Sequence, residues 1–424
     1  MSNRWLNVVA FFLPLYSFSL NMGVELSVYK LLPIVVFVSV MLKGQVHKIK
    51  VSRLFLILVV YIFVNTSVNV ISNIGAGEFD YAINNGWSVF KVYTHMPVQL
   101  ILIFFSLAQI FSLTHVLKEK FCYKSFINSF INGNLFSLIT GLFLYLMLKI
   151  DIVLIPVFFD ENMARLSGLG GEPRHFSAFI VIALTMILID KTNSILSIRN
   201  RQVKIYTLVA GLLLSLSTSS IIAFALSFSI ILIMHGVIGK NVFKFALTIV
   251  VVFIFWGSEL IEILNHRILD RILDLDKILY FAPKDALAIY FLKDNFDALL
   301  FGVGSGGITF HTMQAPFLDL VSNDLVLNTM IIQSVYNGEI GGSLSPSSFS
   351  IKFISEHGIV GFSVLILFFC QIIKRMKHTV YSKFSISLSL TVLAMSFIAS
   401  ALIVYVYMII ISVLYAQSQR NKSF

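Results

Sequence analysis

Long apolar stretches without charge recur along most of this chain, and no other feature limits its folding so strongly. Inside lipid every backbone N–H and C=O must find its partner within the structure, so an apolar stretch of about 20 residues that enters a bilayer crosses it as an α-helix. Such stretches run at 5–22, 25–42, 54–73, 90–113, 126–148, 173–190, 205–218, 220–238, 243–258, 351–373, 384–400 and 402–416. The pair at 205–218 and 220–238 reads as a hairpin, because Ile205 to Ile238 exceeds one crossing and is interrupted between Ser215 and Ser220. The last pair rests on the same length argument, with a weaker break near Ser400. The pattern predicts an all-α, polytopic integral membrane protein of about 12 transmembrane helices. Of 424 residues, 58% are hydrophobic and 12% charged, about half the ~25% charge of soluble domains, which excludes an ordinary cytosolic protein.

Lys and Arg set the orientation, because cytoplasmic loops carry them in excess. On alternate sides of this arrangement, one side collects Lys43, Lys48, Lys50, Arg53, Lys118, Lys120, Lys124, Lys191, Arg199, Arg201, Lys204, Lys240, Lys244, Lys374, Arg375, Lys377 and Lys383, with Arg4, Arg420 and Lys422 from the termini. Against these 20 cations stand only Glu119 and Asp190, so this side carries +18 and is expected to be cytoplasmic, with both termini on it. The other side carries −8, which accounts for the formal net charge of +10. That sum orients the protein and does not call for nucleic acid as a partner.

Two segments on the outer side exceed ordinary helix links, 151–172 and 259–350, the latter between the ninth and tenth expected helices. Links of such length are candidate functional loops. Within the longer one, Ile261, Leu264, Ile268, Leu269, Ile272, Leu275 and Leu279 recur at helical spacing, which predicts amphipathic helices along the outer membrane surface. The first apolar run is followed by no small-residue cleavage site and is expected to be retained. The nine histidines form no HExxH or other clustered ligand pattern, and no phosphate-binding Walker loop is present, so neither a metal nor a nucleotide is expected.

The most informative stretch is RLSGLGGEPRHF at 165–176. Pro173 suits the first turn of a helix, where its missing amide hydrogen costs nothing. The positive end of that helix prefers acids, yet Arg174 and His175 occupy the first turn and Arg165 precedes it. Either these arginines pair with Asp160, Glu161 and Glu172, or they and the helix end receive an anion such as phosphate. Other cations stand at outer helix ends: Lys30, Lys91 with His95 one turn on, and Lys352. Each alone can snorkel to the interface, and together they can line one external cavity for a polyanionic headgroup. Arg267 and Arg271, four apart, share a helix face, either as a salt-bridged surface with Asp270 and Asp274 or as a grip on phosphate. A general base on this side is to be sought among Glu172, His175, His311, Glu356 and His357.

Four motifs in order, RLSGLGGEP before a helix, LSLSTSSIIAFALS, FGVGSGG in the long loop and FISEHGIVGF opening a late helix, resemble those of bacterial O-antigen or capsular polysaccharide polymerases of the Wzy type. That family belongs to a wider superfamily that includes O-antigen ligases, and the resemblance covers about residues 160 to 365. It implies a metal-independent, cofactor-free glycosyltransferase of the GT-C type in the bacterial inner membrane, with a periplasmic active site. Its substrates would be undecaprenyl-pyrophosphate-linked oligosaccharides. Membrane lipids and a chain-length regulator protein are its expected partners. Glu172, His175 and Glu356 become the catalytic candidates. Arg165, Arg174, Lys30, Lys91, Arg267, Arg271, Lys284 and Lys352 become the candidates for binding pyrophosphate. The chain departs from the superfamily at PSSF, where Ser347 and Ser348 replace a histidine and an asparagine typical of ligases; this favours polymerase. Ser219 and Ser220 stand where a small-loop arginine is often found, and Lys284 where an arginine is common. The alternatives are a ligase moving glycan to lipid A-core and a flippase of the lipid-linked sugar.

Overall fold

The computed structural model describes residues 4–15, 19–21, 25–27, 34–35, 37–38, 41–42, 51–84, 88–117, 123–149, 166, 168–169, 173–193, 199–215, 224–225, 227–229, 283–311, 346, 348–376, 386, 388–391 and 408–415. Their helices in chain order begin with α1 (Arg4–Phe12), α2 (Arg53–Gly75), α3 (Glu78–Asn84), α4 (Val89–Leu117) and α5 (Tyr123–Lys149). They continue with α6 (Pro173–Asn193), α7 (Arg201–Leu214), α8 (Pro283–Asp294), α9 (Phe296–Phe301), α10 (Ile308–His311) and α11 (Phe349–Met376). Among the described residues four helices are long and apolar enough to cross a bilayer, Arg53–Gly75, Val92–His115, Lys124–Met147 and Phe349–Met376. They match the crossings expected at 54–73, 90–113, 126–148 and 351–373, and the chain is a helical membrane protein. The crossings expected at 220–238, 243–258, 384–400 and 402–416 fall mostly outside the described residues; 224–225, 227–229, 386, 388–391 and 408–415 are helical.

The stretch expected to cross at 5–22 is not one continuous helix, whereas that at 25–42 opens with a strand at 25–27 and is helical at 34–35, 37–38 and 41–42, its other residues lying outside the described ones. Pro14 has no amide hydrogen for the helical ladder and disfavours helical geometry at the residue before it, so α1 tightens into a 3-10 turn at Leu13–Leu15. Beyond it, β1 (Ser19–Asn21) pairs antiparallel with β2 (Glu25–Ser27), Leu20 opposite Leu26. The fold is therefore all-α in class, with one short hairpin of three-residue strands.

The chain divides into two compact units. The first comprises Met1–Lys50, Phe105–Phe243 and Ile372–Phe424. In it α1 lies on α5 so closely that a Cβ at Gly133 would meet the Phe11 carbonyl oxygen at 2.1 Å. Asn7 Nδ2 donates to Ser125 Oγ at 2.8 Å along the same seam. The turn before α6 is fastened by two hydrogen bonds, from the Leu166 amide to the Leu214 carbonyl at 3.1 Å and from the Leu169 amide to Ser137 Oγ at 2.9 Å. α6 begins at Pro173, as expected, and residues 175–187 are buried on all faces, the condition of a helix apolar all round. At its other end Asp190, fully buried, accepts from Arg201 Nη2 at 2.7 Å. That bond joins the end of α6 to the start of α7.

The second unit comprises Val51–Phe104 and Lys244–Gln371. Ser52 caps α2 by accepting from the Phe55 amide at 3.1 Å, satisfying a donor that the first helical turn leaves open. The described part of the 259–350 segment comprises α8 to α10. It closes on its own core of Ala288, Leu292, Ala298, Val303 and Ile308, against which Ile351 and Ile354 of α11 pack. Asp285 Oδ1 accepts from the Ser348 amide at 2.9 Å, tying α8 to the residue before α11. The amphipathic spacing at Ile261 to Leu279 lies outside the described residues.

Candidate functional site

The site is built on a discontinuity in a membrane-spanning helix. At Gly358 the backbone of α11 leaves helical geometry, with φ 66° and ψ 177°. A Cβ there would lie 2.1 Å from the Leu300 carbonyl oxygen, so the position accepts only glycine. The break removes the amides that would have served the carbonyls just before it, and buried carbonyls need donors. Other parts of the unit supply them. The Val303 amide donates to Ser355 O at 3.0 Å and the Gly304 amide to Glu356 O at 2.8 Å. Asn65 Nδ2 of α2 donates to the same Glu356 oxygen at 2.9 Å. The Tyr61 hydroxyl reaches His357 O at 2.8 Å and Phe301 O at 3.0 Å.

The FGVGSGG segment supplies this docking by its backbone. Gly302 has φ 78°, and its Cβ would fall 2.3 Å from both Glu356 C and His357 N. Only a chain without a side chain there approaches so near. Ser305 is then held by the Thr66 hydroxyl, whose oxygen accepts from the Ser305 amide at 3.0 Å. Its own Oγ stands 3.3 Å from His357 Nε2. The His357 ring is fully buried and packs on Phe353 with centroids 4.7 Å apart.

Glu356 is the group whose position most demands an account. Its residue is wholly buried, in the last turn before the break, where the helix dipole is negative and an acid is least welcome. Lys352, one turn earlier, places Nζ 3.8 Å from Glu356 Oε1, and the Gly306 amide also faces the carboxylate. Neither carboxylate oxygen has a hydrogen bond of normal length and angle among the described residues. A buried carboxylate with one cation and so few donors costs several kcal/mol. Lys352 Nζ donates in turn to Gln99 Oε1 at 3.3 Å, and both Gln99 and the His95 ring of α4 abut Gly306. Carboxylate, ammonium, amide and imidazole thus converge where α2, α4 and α11 meet. Such a set can take a proton from a hydroxyl and hold an anion beside it.

At the edge of this region His311 stacks on Phe291, with centroids 5.2 Å apart, and places Nδ1 3.7 Å from Glu78 Oε1. Burial lowers the His311 imidazole to about 4, so the ring is neutral at pH 7 and this contact is not an ion pair there. Among the described residues no group of three or more His, Cys, Asp or Glu is arranged to hold a metal.

Of the residues proposed from sequence, the structure brings Lys352 and Glu356 together and sets His357 next in line. His175 belongs to the first unit, buried in the first turn of α6. Lys91, Arg174 and Lys284 lie on α4, α6 and α8, with side chains outside the described residues. Lys30, Arg165, Glu172, Arg267 and Arg271 lie outside them altogether. Sequence reasoning passed over Tyr61, Asn65, Thr66, Gln99 and Ser305. A signal for Asn65 was present: with Asn69 and Asn73 it makes a ladder of amides four apart in an apolar helix, and polar groups within a membrane segment point to function.

Comparison with known proteins finds no matching protein-family model and no matching curated sequence.

Proposed function

We propose that the chain polymerises lipid-linked oligosaccharides, joining repeat units carried on a polyprenyl pyrophosphate at the outer face of a bacterial inner membrane. The observation that carries this reading is the buried Glu356 carboxylate beside Lys352 at 3.8 Å, set at the end of the half-helix that Gly358 interrupts. The FGVGSGG and FISEHGIVGF motifs, chosen on resemblance alone, turn out to be hydrogen-bonded to each other, which supports treating them as one device.

In this reading a sugar hydroxyl of one unit attacks the anomeric carbon of the other. The new glycosidic C–O bond forms as the C–O bond to pyrophosphate breaks, and the electron pair leaves with the phosphate oxygen. Glu356 accepts the hydroxyl proton, while Lys352 and Gln99 offer donors to the departing pyrophosphate. The pyrophosphate linkage supplies the driving force, so no nucleotide is consumed. The test is purified protein in lipid bilayers with lipid-linked repeat units and no nucleotide, read by glycan length. Products longer than one repeat are expected, and their absence under conditions where the substrate binds defeats the proposal.

The broken helix favours one second reading, a transporter of the same lipid-linked sugar, because interrupted helices commonly build substrate sites in transporters. The same bilayers separate the two. A transporter moves labelled units across sealed vesicles without lengthening them.

A further inference from the structure

The second unit contains a cleft of about 750 Å³, lined on one side by Asn65, Asn69 and Asn73 of α2 and on the other by Asp294, Asn295 and Asp297. We propose that this cleft is a sugar subsite that accepts a neutral or amino-bearing pyranose and rejects acidic ones. The inference rests on the glycan reading above and extends it to selectivity.

The lining's donor and acceptor inventory carries the argument. Asn69 Nδ2 is held by Asn65 O and Asn65 Oδ1, both at 2.9 Å, and Asn295 Nδ2 by Phe291 O at 2.9 Å. These bonds take up both N–H groups of Asn69 and one of the two on Asn295, and among the described residues no hydrogen bond reaches the side-chain oxygens of Asn69 and Asn295 or the carboxylates of Asp294 and Asp297. The cleft therefore offers more acceptors than donors, its side-chain donors including the Ser72 hydroxyl and the second Asn295 N–H. A pyranose presents hydroxyl donors around its ring, whereas phosphate and carboxylate are acceptors only. No Lys or Arg lines the cleft among the described residues, and its histidine, His311, is neutral above about pH 4. Two carboxylates against an anionic sugar make a repulsive element, the usual means of rejecting a near-isostere. Phe296 and Phe301, both more than half exposed, add apolar faces on which the C–H side of a sugar ring can rest.

Position completes the case. Gly302 and Val303 line the cleft and also dock on the last turn before Gly358, and Asn65 lines it while donating to the Glu356 carbonyl. A sugar held here lies beside the backbone of the proposed base. The pyrophosphate belongs with Lys352 and not in this cleft.

The test is saturation-transfer NMR on the full chain in lipid nanodiscs with glucose, glucosamine and glucuronate as probes. Transfer to glucose and glucosamine is expected, with glucuronate about tenfold weaker or more, since its carboxylate would face Asp294 and Asp297. Asp294→Asn with Asp297→Asn should bring glucuronate to the level of glucose. Phe296→Ala, an exposed position, should cut glucose transfer about tenfold. Equal transfer to glucuronate and glucose in the natural chain, no transfer to either neutral or amino sugar, or an undiminished signal in Phe296→Ala each overturns the inference. No lipid-linked donor takes part, so sugar binding with failed lengthening counts against the proposed reaction alone.

Discussion

The backbone amide of Gly304 donates to the carbonyl oxygen of Glu356 at 2.8 Å, so a loop glycine and a membrane-helix glutamate are held by the same peptide-to-peptide contact. The loop motif and the late-helix motif are parts of one structure. The close approach that permits it makes the first prediction.

Gly302→Ala should destabilise the second unit by about 1–3 kcal/mol or prevent its folding, because φ 78° suits a side chain poorly and the new Cβ would meet Glu356 and His357 backbone atoms. Gly75→Ala is the matched control, since a Cβ there meets nothing within 4 Å. Thermal unfolding of both variants in the same detergent checks the contrast. Equal stability of the two removes the docking role assigned to Gly302.

Glu356→Gln keeps the volume of the side chain and removes its capacity to take a proton. Lengthening of lipid-linked glycan should fall by about 10²-fold or more, with protein yield in the membrane unchanged. Lys352→Met should weaken lengthening and leave Glu356 buried without its cation, so its yield should fall as well. Rates and membrane yields measured side by side give the answer, and a Glu356→Gln protein that lengthens glycan normally rules out the base.

The His311 imidazole titrates at about 4 in the folded chain, against an ordinary value of 6.5, because burial disfavours its charged form. As pH falls below 6.5 the unfolded chain takes up the proton first. The stability this residue contributes is thus complete above pH 6.5 and is lost between 6.5 and about 4. The loss at the acid end is about 3 kcal/mol. Thermal midpoints from pH 7.5 to 4.5 should decline more steeply for the natural chain than for His311→Gln, and identical slopes would contradict the assignment.

Arg201→Met should cost about 3–5 kcal/mol, because it strips the guanidinium from an Asp190 that is fully buried. Arg201→Met with Asp190→Leu should recover much of that loss. Denaturation of the two proteins compares them directly.

How much of this was readable from the chain depends on distance along it. The crossings at 54–73, 90–113, 126–148 and 351–373 depend on local hydropathy and were legible, as was the start of α6 at Pro173. The bounds expected at 5–22 and at the start of 25–42 differ from the structure because a count of apolar residues cannot see that Pro14 interrupts the ladder or that Leu20 pairs with Leu26 in a hairpin. At the site, Lys352 and Glu356 were legible as a pair one turn apart. Their neighbours were not, because Asn65 and Gly304 reach Glu356 from 291 and 52 positions away respectively, and charge-based searching passes over amides and backbone. Nor was the setting of Ser348 legible: it precedes α11, and its amide donates to Asp285, 63 positions away.

The break at Gly358 also separates two sequence registers. In an uninterrupted helix each inserted residue turns everything beyond it by about 100°. Here the segment from Phe349 to His357 is fixed by the loop, Tyr61 and Asn65, so a residue gained or lost beyond Gly358 would rotate the lipid-facing half and leave Glu356 aimed where it was. The membrane anchor can therefore vary in length and facing while the chemistry keeps its alignment.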